Sequence, residues 1–256
     1  MTTGSGTEAQ LDIGGVFEAA GEIYKSVFGT IWIVALLLLI PAEIIVALLG
    51  SGGILGIIGT LVHWAAVAWL AGSIVRIVQN VEQDGAVDWS VGEILGSVTP
   101  QLVSIILLQI VVGILVGIGT IFFIIPGIIL ALMWCVSIPS MVIEELGVFD
   151  SMSRSSELTR DNRMRILGIG LLIFLAFAGL AIIVIALSLI SWIVGALAGI
   201  ILGVLIYPYA SMLAAVLYYR LLEVKEGVVT GGIVRETVIV EETVADPGAP
   251  PPPPAV

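Results

Sequence analysis

Six stretches of almost unbroken apolar residues alternate with short polar segments along this chain, near 28–49, 54–78, 101–122, 126–143, 166–189 and 192–219. A helix rises about 1.5 Å per residue, so roughly 20 apolar residues cross bilayer hydrocarbon, and each run predicts a spanning helix. The fourth run is short and the sixth long, which predicts an upright fourth helix and a tilted or extended sixth. Ahead of the first run, Ile13, Val16, Phe17, Ala20, Tyr24 and Val27 recur at helical spacing, with Glu18, Glu22 and Lys25 opposite. Val91, Ile94, Leu95 and Val98 make a similar face before the third run, with Trp89 at its start. Both segments predict amphipathic helices lying in the headgroup layer. A third segment, 148–162, opens similarly (Val148-Phe149-Asp150 beside Val16-Phe17-Glu18) but is more polar. The expected architecture is all-α: a polytopic membrane protein of six transmembrane helices, arranged as three hairpins with interfacial amphipathic helices. An internal three-fold repeat and accidental likeness both fit this pattern.

Charge gives the layout a direction. Ser51-Gly52-Gly53, the stretch from Phe123 to Gly127 and the one from Ser188 to Ser191 hold no charge. All nine basic residues sit in the other segments: Lys25, Arg76, Arg154, Arg160, Arg163, Arg165, Arg220, Lys225 and Arg235. Lys and Arg stay on the cytoplasmic side of a membrane, so a multi-pass protein of the plasma membrane with both termini in the cytoplasm is expected. The first run starts late, lacks a basic lead and is too long for a signal peptide. Residues 1–10 read as a disordered N-terminus, 11–226 as the membrane domain, and 227–256 as a disordered acidic tail ending in Pro250 to Pro254.

Composition closes several other readings. Of the 256 residues, 59% are hydrophobic and 11% charged, and the mean hydropathy is +1.19. Soluble chains carry about 25% charged residues, so lipid has to solvate most of this one. The net charge of −11 and the dispersed basic residues argue against a nucleic-acid partner. The single Cys135 excludes an intrachain disulfide and reads as a small buried hydrophobe. Glycine clusters near 50–56 and 113–119 lack the Lys-Ser/Thr ending of a phosphate loop. No catalytic, cofactor or metal site is expected.

The stretch from Ile125 to Leu158 contains Ile125-Pro126-Gly127-Ile128, Trp134, Pro139, Glu144, Gly147 and Arg154-Ser155-Ser156-Glu157-Leu158. It resembles bacterial six-helix membrane proteins grouped around the glycerophosphoryl diester phosphodiesterase membrane-domain family. That family carries an Ile-Pro-Gly opening to its fourth helix, a Glu at that helix's cytoplasmic end, and Arg-Ser-x-x-Leu before the fifth. The resemblance implies a membrane module; the phosphodiesterase domain fused to some members is absent here. One histidine and no soluble segment of domain size leave no basis for that activity.

Three groups of residues stand as candidates. Glu43 and His63 lie about 10 and 15 Å from the turn at 51–53, by helical rise, and adjacent helices could bring them together. Ionisable groups at such depth are expensive and point to function; they form either a proton- or cation-responsive pair, with Gln109 its only extension, or two separately satisfied side chains. Arg154, Arg160, Arg163 and Arg165 read as contacts to anionic headgroups, or, for Arg154, as a tie to Glu144 or Glu145 at the end of the fourth helix. Gly195, Gly199 and Gly203, and likewise Gly113 and Gly117, suit close helix packing inside one bundle or between two copies. Pro208 predicts a kink in the sixth helix, and Tyr218 and Tyr219 fit an aromatic belt. The expected function is that of a non-catalytic membrane module interacting with membrane lipids, with a protein partner or as a homo-oligomer. The alternative is a small transporter or permease for a lipid-like or small solute.

Overall fold

The computed structural model describes residues 11–50, 52–85 and 88–227. The proposed disordered ends, 1–10 and most of 227–256, lie outside the described residues. The described chain is all-helical, with no strand among its residues. The elements are α1 (Ile13–Ser26), α2 (Phe28–Leu49), α3 (Gly53–Asp84), α4 (Val91–Val98), α5 (Leu102–Phe122), α6 (Ile124–Met133), α7 (Ser137–Glu144), α8 (Val148–Thr159), α9 (Arg163–Ile190) and α10 (Trp192–Glu226). Five stretches among the described residues are long and apolar enough to cross a membrane: Phe28–Leu49, Gly53–Asp84, Val91–Phe122, Ile124–Glu144 and Arg163–Ile190. This is a multi-pass membrane protein by length and composition. α10 adds a 35-residue helix in which the surroundings of several residues, Gly203 among them, lie outside the described set.

Local chemistry sets the helix ends. Asp12 caps α1, its carboxylate accepting from the N–H groups of Gly14 and Gly15 at 3.0 and 2.7 Å. Ser90 and Glu93 form a reciprocal capping box at the start of α4. α3 runs six residues beyond the predicted span, to Asp84, because nothing breaks it before Gly85, whose φ of 75° supplies the left-handed cap. Arg76 therefore lies well inside α3. α2 and α10 continue through Pro41 and Pro208.

The fourth span departs from expectation. Instead of one upright helix it is two, α6 and α7, separated at Trp134–Val136. Pro139 has no N–H for the carbonyl four residues back, and its ring crowds that carbonyl, so the helix cannot pass through Cys135 undisturbed. The freed groups find a partner in α8. The Ser155 hydroxyl donates to the Met133 carbonyl at 2.8 Å and accepts from the Val136 N–H at 3.3 Å.

Two of the turns repeat. Phe123 alone separates α5 from α6, and Ser191 alone separates α9 from α10, both extended, with φ of −155° and −158°. Three residues before each, Thr120 or Ser188 returns its hydroxyl to the carbonyl four residues back. Four residues after each stands glycine, Gly127 or Gly195. A Cβ on Gly127 would lie 2.7 Å from the Thr120 backbone nitrogen, and one on Gly195 would lie 2.7 Å from the Ser188 Cα. Only glycine lets these helices leave the turn so close together.

Packing is uneven from end to end. The buried core gathers where the charged residues are: Val16, Ala20 and Ile23 of α1, Ile74 to Val81 of α3, Val142 of α7, Leu158 of α8, and Met212 to Leu221 of α10. The apolar face of α1 is thus covered by α10, α9 and α2. α4 docks so closely that a Cβ on Gly72 of α3 would lie 2.6 Å from Val98. Toward the turns less of each helix is covered by protein. Ile121 is 84% and Leu189 85% exposed, and only 6% of the most apolar stretch of α9 is covered by protein. Apolar surface on this scale needs hydrocarbon around it.

Candidate functional site

The looser half of the bundle encloses a crevice of about 560 Å³. α3 supplies His63, Trp64 and Val67, and α5 supplies Gln109, Val112, Gly113 and Val116. The far wall comes from Ala131, Trp134 and Cys135 at the break between α6 and α7, and from Tyr207 of α10. The volume falls in the range of small-molecule sites, about 300–1,000 Å³, and the lining fits their pattern of apolar walls with a few polar groups. No neighbour comes within 4 Å of where a Cβ on Gly113 or Gly117 would stand, so Gly113 opens the crevice rather than drawing two helices together.

The structure brings Glu43 and His63 together. His63 Nδ1 lies 2.8 Å from Glu43 Oε1. Glu43 stands two residues after Pro41, and the antiparallel packing of α2 on α3 sets this juxtaposition. Glu43 is not part of the crevice wall; His63 faces it while one ring nitrogen is engaged from behind. A second cavity, about 280 Å³, lies across α6, between it, α9 and α10. Its walls are apolar, and it shares Ala131 and Cys135 with the crevice.

A separate polar cluster locks the charged end. Arg154 of α8 binds Glu144 of α7 through Nε at 2.8 Å and Glu226 of α10 through a terminal nitrogen at 2.7 Å. Its hydrogen bond to Glu226, then those to Glu144, hold the guanidinium's pKa above its ordinary value against partial burial. Tyr218 donates its hydroxyl to Glu144 at 2.6 Å. Lys225 pairs with Asp161 at 2.6 Å and donates to the Glu157 carbonyl at 2.9 Å. That contact lowers the Asp161 pKa. Glu145, with φ of 55°, sits 3.6 Å from Arg76.

The other candidate arginines divide. Arg165 donates to the Leu11 carbonyl and ties α9 to the start of α1. Arg163 is partly covered, its Nε buried without a hydrogen-bond partner. Arg160 is exposed. Gly195 faces Ser188 of α9, and a Cβ on Gly199 would meet Val184 of α9 at 3.7 Å, so both lie inside the α9–α10 pair; the surroundings of Gly203 lie outside the described residues.

Sequence reasoning missed Ser155 and the crevice. Ser155 stood in the Arg-Ser-x-x-Leu element, and Pro139 upstream was the signal that some backbone carbonyl would need a partner. The crevice joins four helices far apart in sequence, and only Gln109 of its α5 wall was singled out for chemistry. Among the described residues no group of three or more His, Cys, Asp or Glu could hold a metal ion. Comparison of the chain with family models, with curated proteins and with solved structures finds no match to any of them.

Proposed function

We propose that this chain is a non-catalytic integral membrane protein that holds a lipid of the surrounding bilayer in the crevice between α3, α5, α6 and α10. It crosses the plasma membrane six times as three hairpins, with both termini in the cytoplasm; the clustering of basic residues away from the tight turns supports that orientation. The segments resembling the glycerophosphodiesterase membrane-domain family then serve as architecture: Arg154 and Ser155 pin α8 to α7 and to the break. The observation that carries the reading is the 560 Å³ apolar crevice among helices whose outer surfaces are themselves apolar and exposed.

Gly113→Leu tests it. The added side chain has room at its Cβ and projects into the crevice wall. Native mass spectrometry of gently extracted protein should show a bound lipid on the wild type and little or none on the variant, at unchanged thermal stability. A variant that retains its lipid at wild-type occupancy would refute the site.

The Glu43–His63 contact favours a second reading, a small transporter for a lipid-like or small solute that uses the pair as its proton- or cation-responsive element. In reconstituted vesicles Glu43→Gln and His63→Ala would each abolish solute movement; unaltered transport by both variants removes this reading.

A further inference from the structure

A bilayer lipid gains nothing from moving its chains between hydrocarbon and an apolar crevice, so selection has to come from polar contacts. The crevice wall is rich in donors. Trp64 and Trp134 carry indole N–H groups that only donate, Cys135 is a weak donor, and Tyr207 and Gln109 can donate or accept. Among the described residues, no carboxylate or Lys/Arg side chain lines it.

His63 decides the sign, and its proton inventory settles what it presents. Nδ1 is engaged by Glu43 at 2.8 Å, and the ring lines the crevice, which leaves Nε2 as the polar atom that the ring can offer a ligand. The pair has two neutral forms in which Glu43 carries no hydrogen outside the shared bond. In one, an imidazolium faces a carboxylate; in the other, a protonated Glu43 donates to a neutral ring. In both, the ring's second nitrogen bears a hydrogen. An acceptor faces the crevice when the pair loses that proton, which leaves an uncompensated negative charge inside the hydrocarbon, or when a protonated Glu43 accepts from Nδ1–H and its own hydroxyl goes without a partner; both are expensive. Cys135 and Tyr207 are the other titratable groups among the described residues of the wall, and neither can carry a compensating positive charge.

We infer that the crevice selects from the bilayer an amphiphile bearing a neutral carbonyl-type hydrogen-bond acceptor, such as an ester, and that His63, oriented by Glu43, is the donor that recognises it. This rests on the lipid-binding reading above and narrows it to a chemical class. A cationic amine would meet a wall of donors and is disfavoured.

The test uses the full-length protein in detergent micelles and three probes with one brominated octadecyl chain, ending in a methyl ester, a methyl group or a primary amine. Bromine quenches nearby indoles, and the crevice signal is the quenching lost in a Trp64→Phe, Trp134→Phe double variant. The ester should quench saturably and bind about tenfold more tightly than the hydrocarbon, the worth of one hydrogen bond. His63→Phe should erase that preference, and His63→Gln, whose amide can donate, should restore most of it. Equal binding of ester and hydrocarbon by the wild type, tighter binding of the amine, or a preference that survives His63→Phe overturns the inference while leaving the lipid site standing. If no probe reaches Trp64 and Trp134, the lipid-binding reading itself fails. Should His63→Phe not fold, the three-probe comparison on the wild type and on His63→Gln still decides.

Discussion

Ser155→Ala is expected to lower thermal stability by about 3 kcal/mol, on the order of 10 °C for a chain of this size. The hydroxyl is fully buried and serves two backbone groups at once, the Met133 carbonyl and the Val136 N–H. Alanine leaves both without a partner in a place water does not reach, and an unmade bond there costs more than a typical bond contributes. Thr159 offers little rescue. Its hydroxyl is 3.4 Å from the Met133 carbonyl and already bonded to the Ser155 carbonyl at 2.9 Å. Ser156→Ala, one position along on a half-buried face, should be nearly neutral. Melting curves of the two variants in the same detergent make the comparison; equal midpoints would show that the break does not depend on α8. Because Trp134 and Cys135 line the crevice, the lipid-bound fraction of Ser155→Ala should fall as well.

The second large effect belongs to Glu144. Its carboxylate takes Arg154 and Tyr218 together, and with Glu226 on the other side of Arg154 it joins α7, α8 and α10. Its side chain is 26% and that of Arg154 21% exposed, so solvent only partly screens the contact. Arg154 keeps Glu226 when Glu144 is removed, but the Tyr218 hydroxyl is left unpaired inside the core, and Glu144→Ala should cost about 2 kcal/mol. Glu144→Gln keeps an acceptor for Tyr218 and should cost about 1 kcal/mol. Denaturation midpoints that rank the glutamine variant at or below the alanine variant would show that the hydrogen bonds matter less than the charge.

The membrane character and the start and end of α2 were legible because hydrocarbon imposes one rule on every residue in a run: apolar, helical, about 20 long. The proximity of Glu43 and His63 could be framed, since both count back from one tight turn, but helical rise fixes depth and not azimuth. What α2 and α3 turn toward each other is a matter of packing, and both runs are apolar on all sides. The break at Trp134–Val136 was hidden for a different reason. Its residues are apolar and good spanners; the interruption needs Pro139 together with a hydroxyl from another helix. Pro41 and Pro208, without such a partner in view, leave their helices continuous, so proline alone was an ambiguous sign. For Arg154 the sequence left a headgroup contact and a tie to Glu144 or Glu145 both open, because a guanidinium is as well matched to a carboxylate as to a phosphate, and sequence does not say which is nearer.

The brevity of the turns also bears on how this protein meets the compartment beyond them. Phe123 and Ser191 are single-residue connections, and α2 and α3 are joined by Gly50 to Gly52 alone. Proteases and antibodies engage several residues of extended chain at once, and none of these connections offers that length. Such a molecule gives digestive enzymes or immune recognition on that face almost nothing to grip, and the connectors at its other end are where cleavage or epitope tagging would have to take hold.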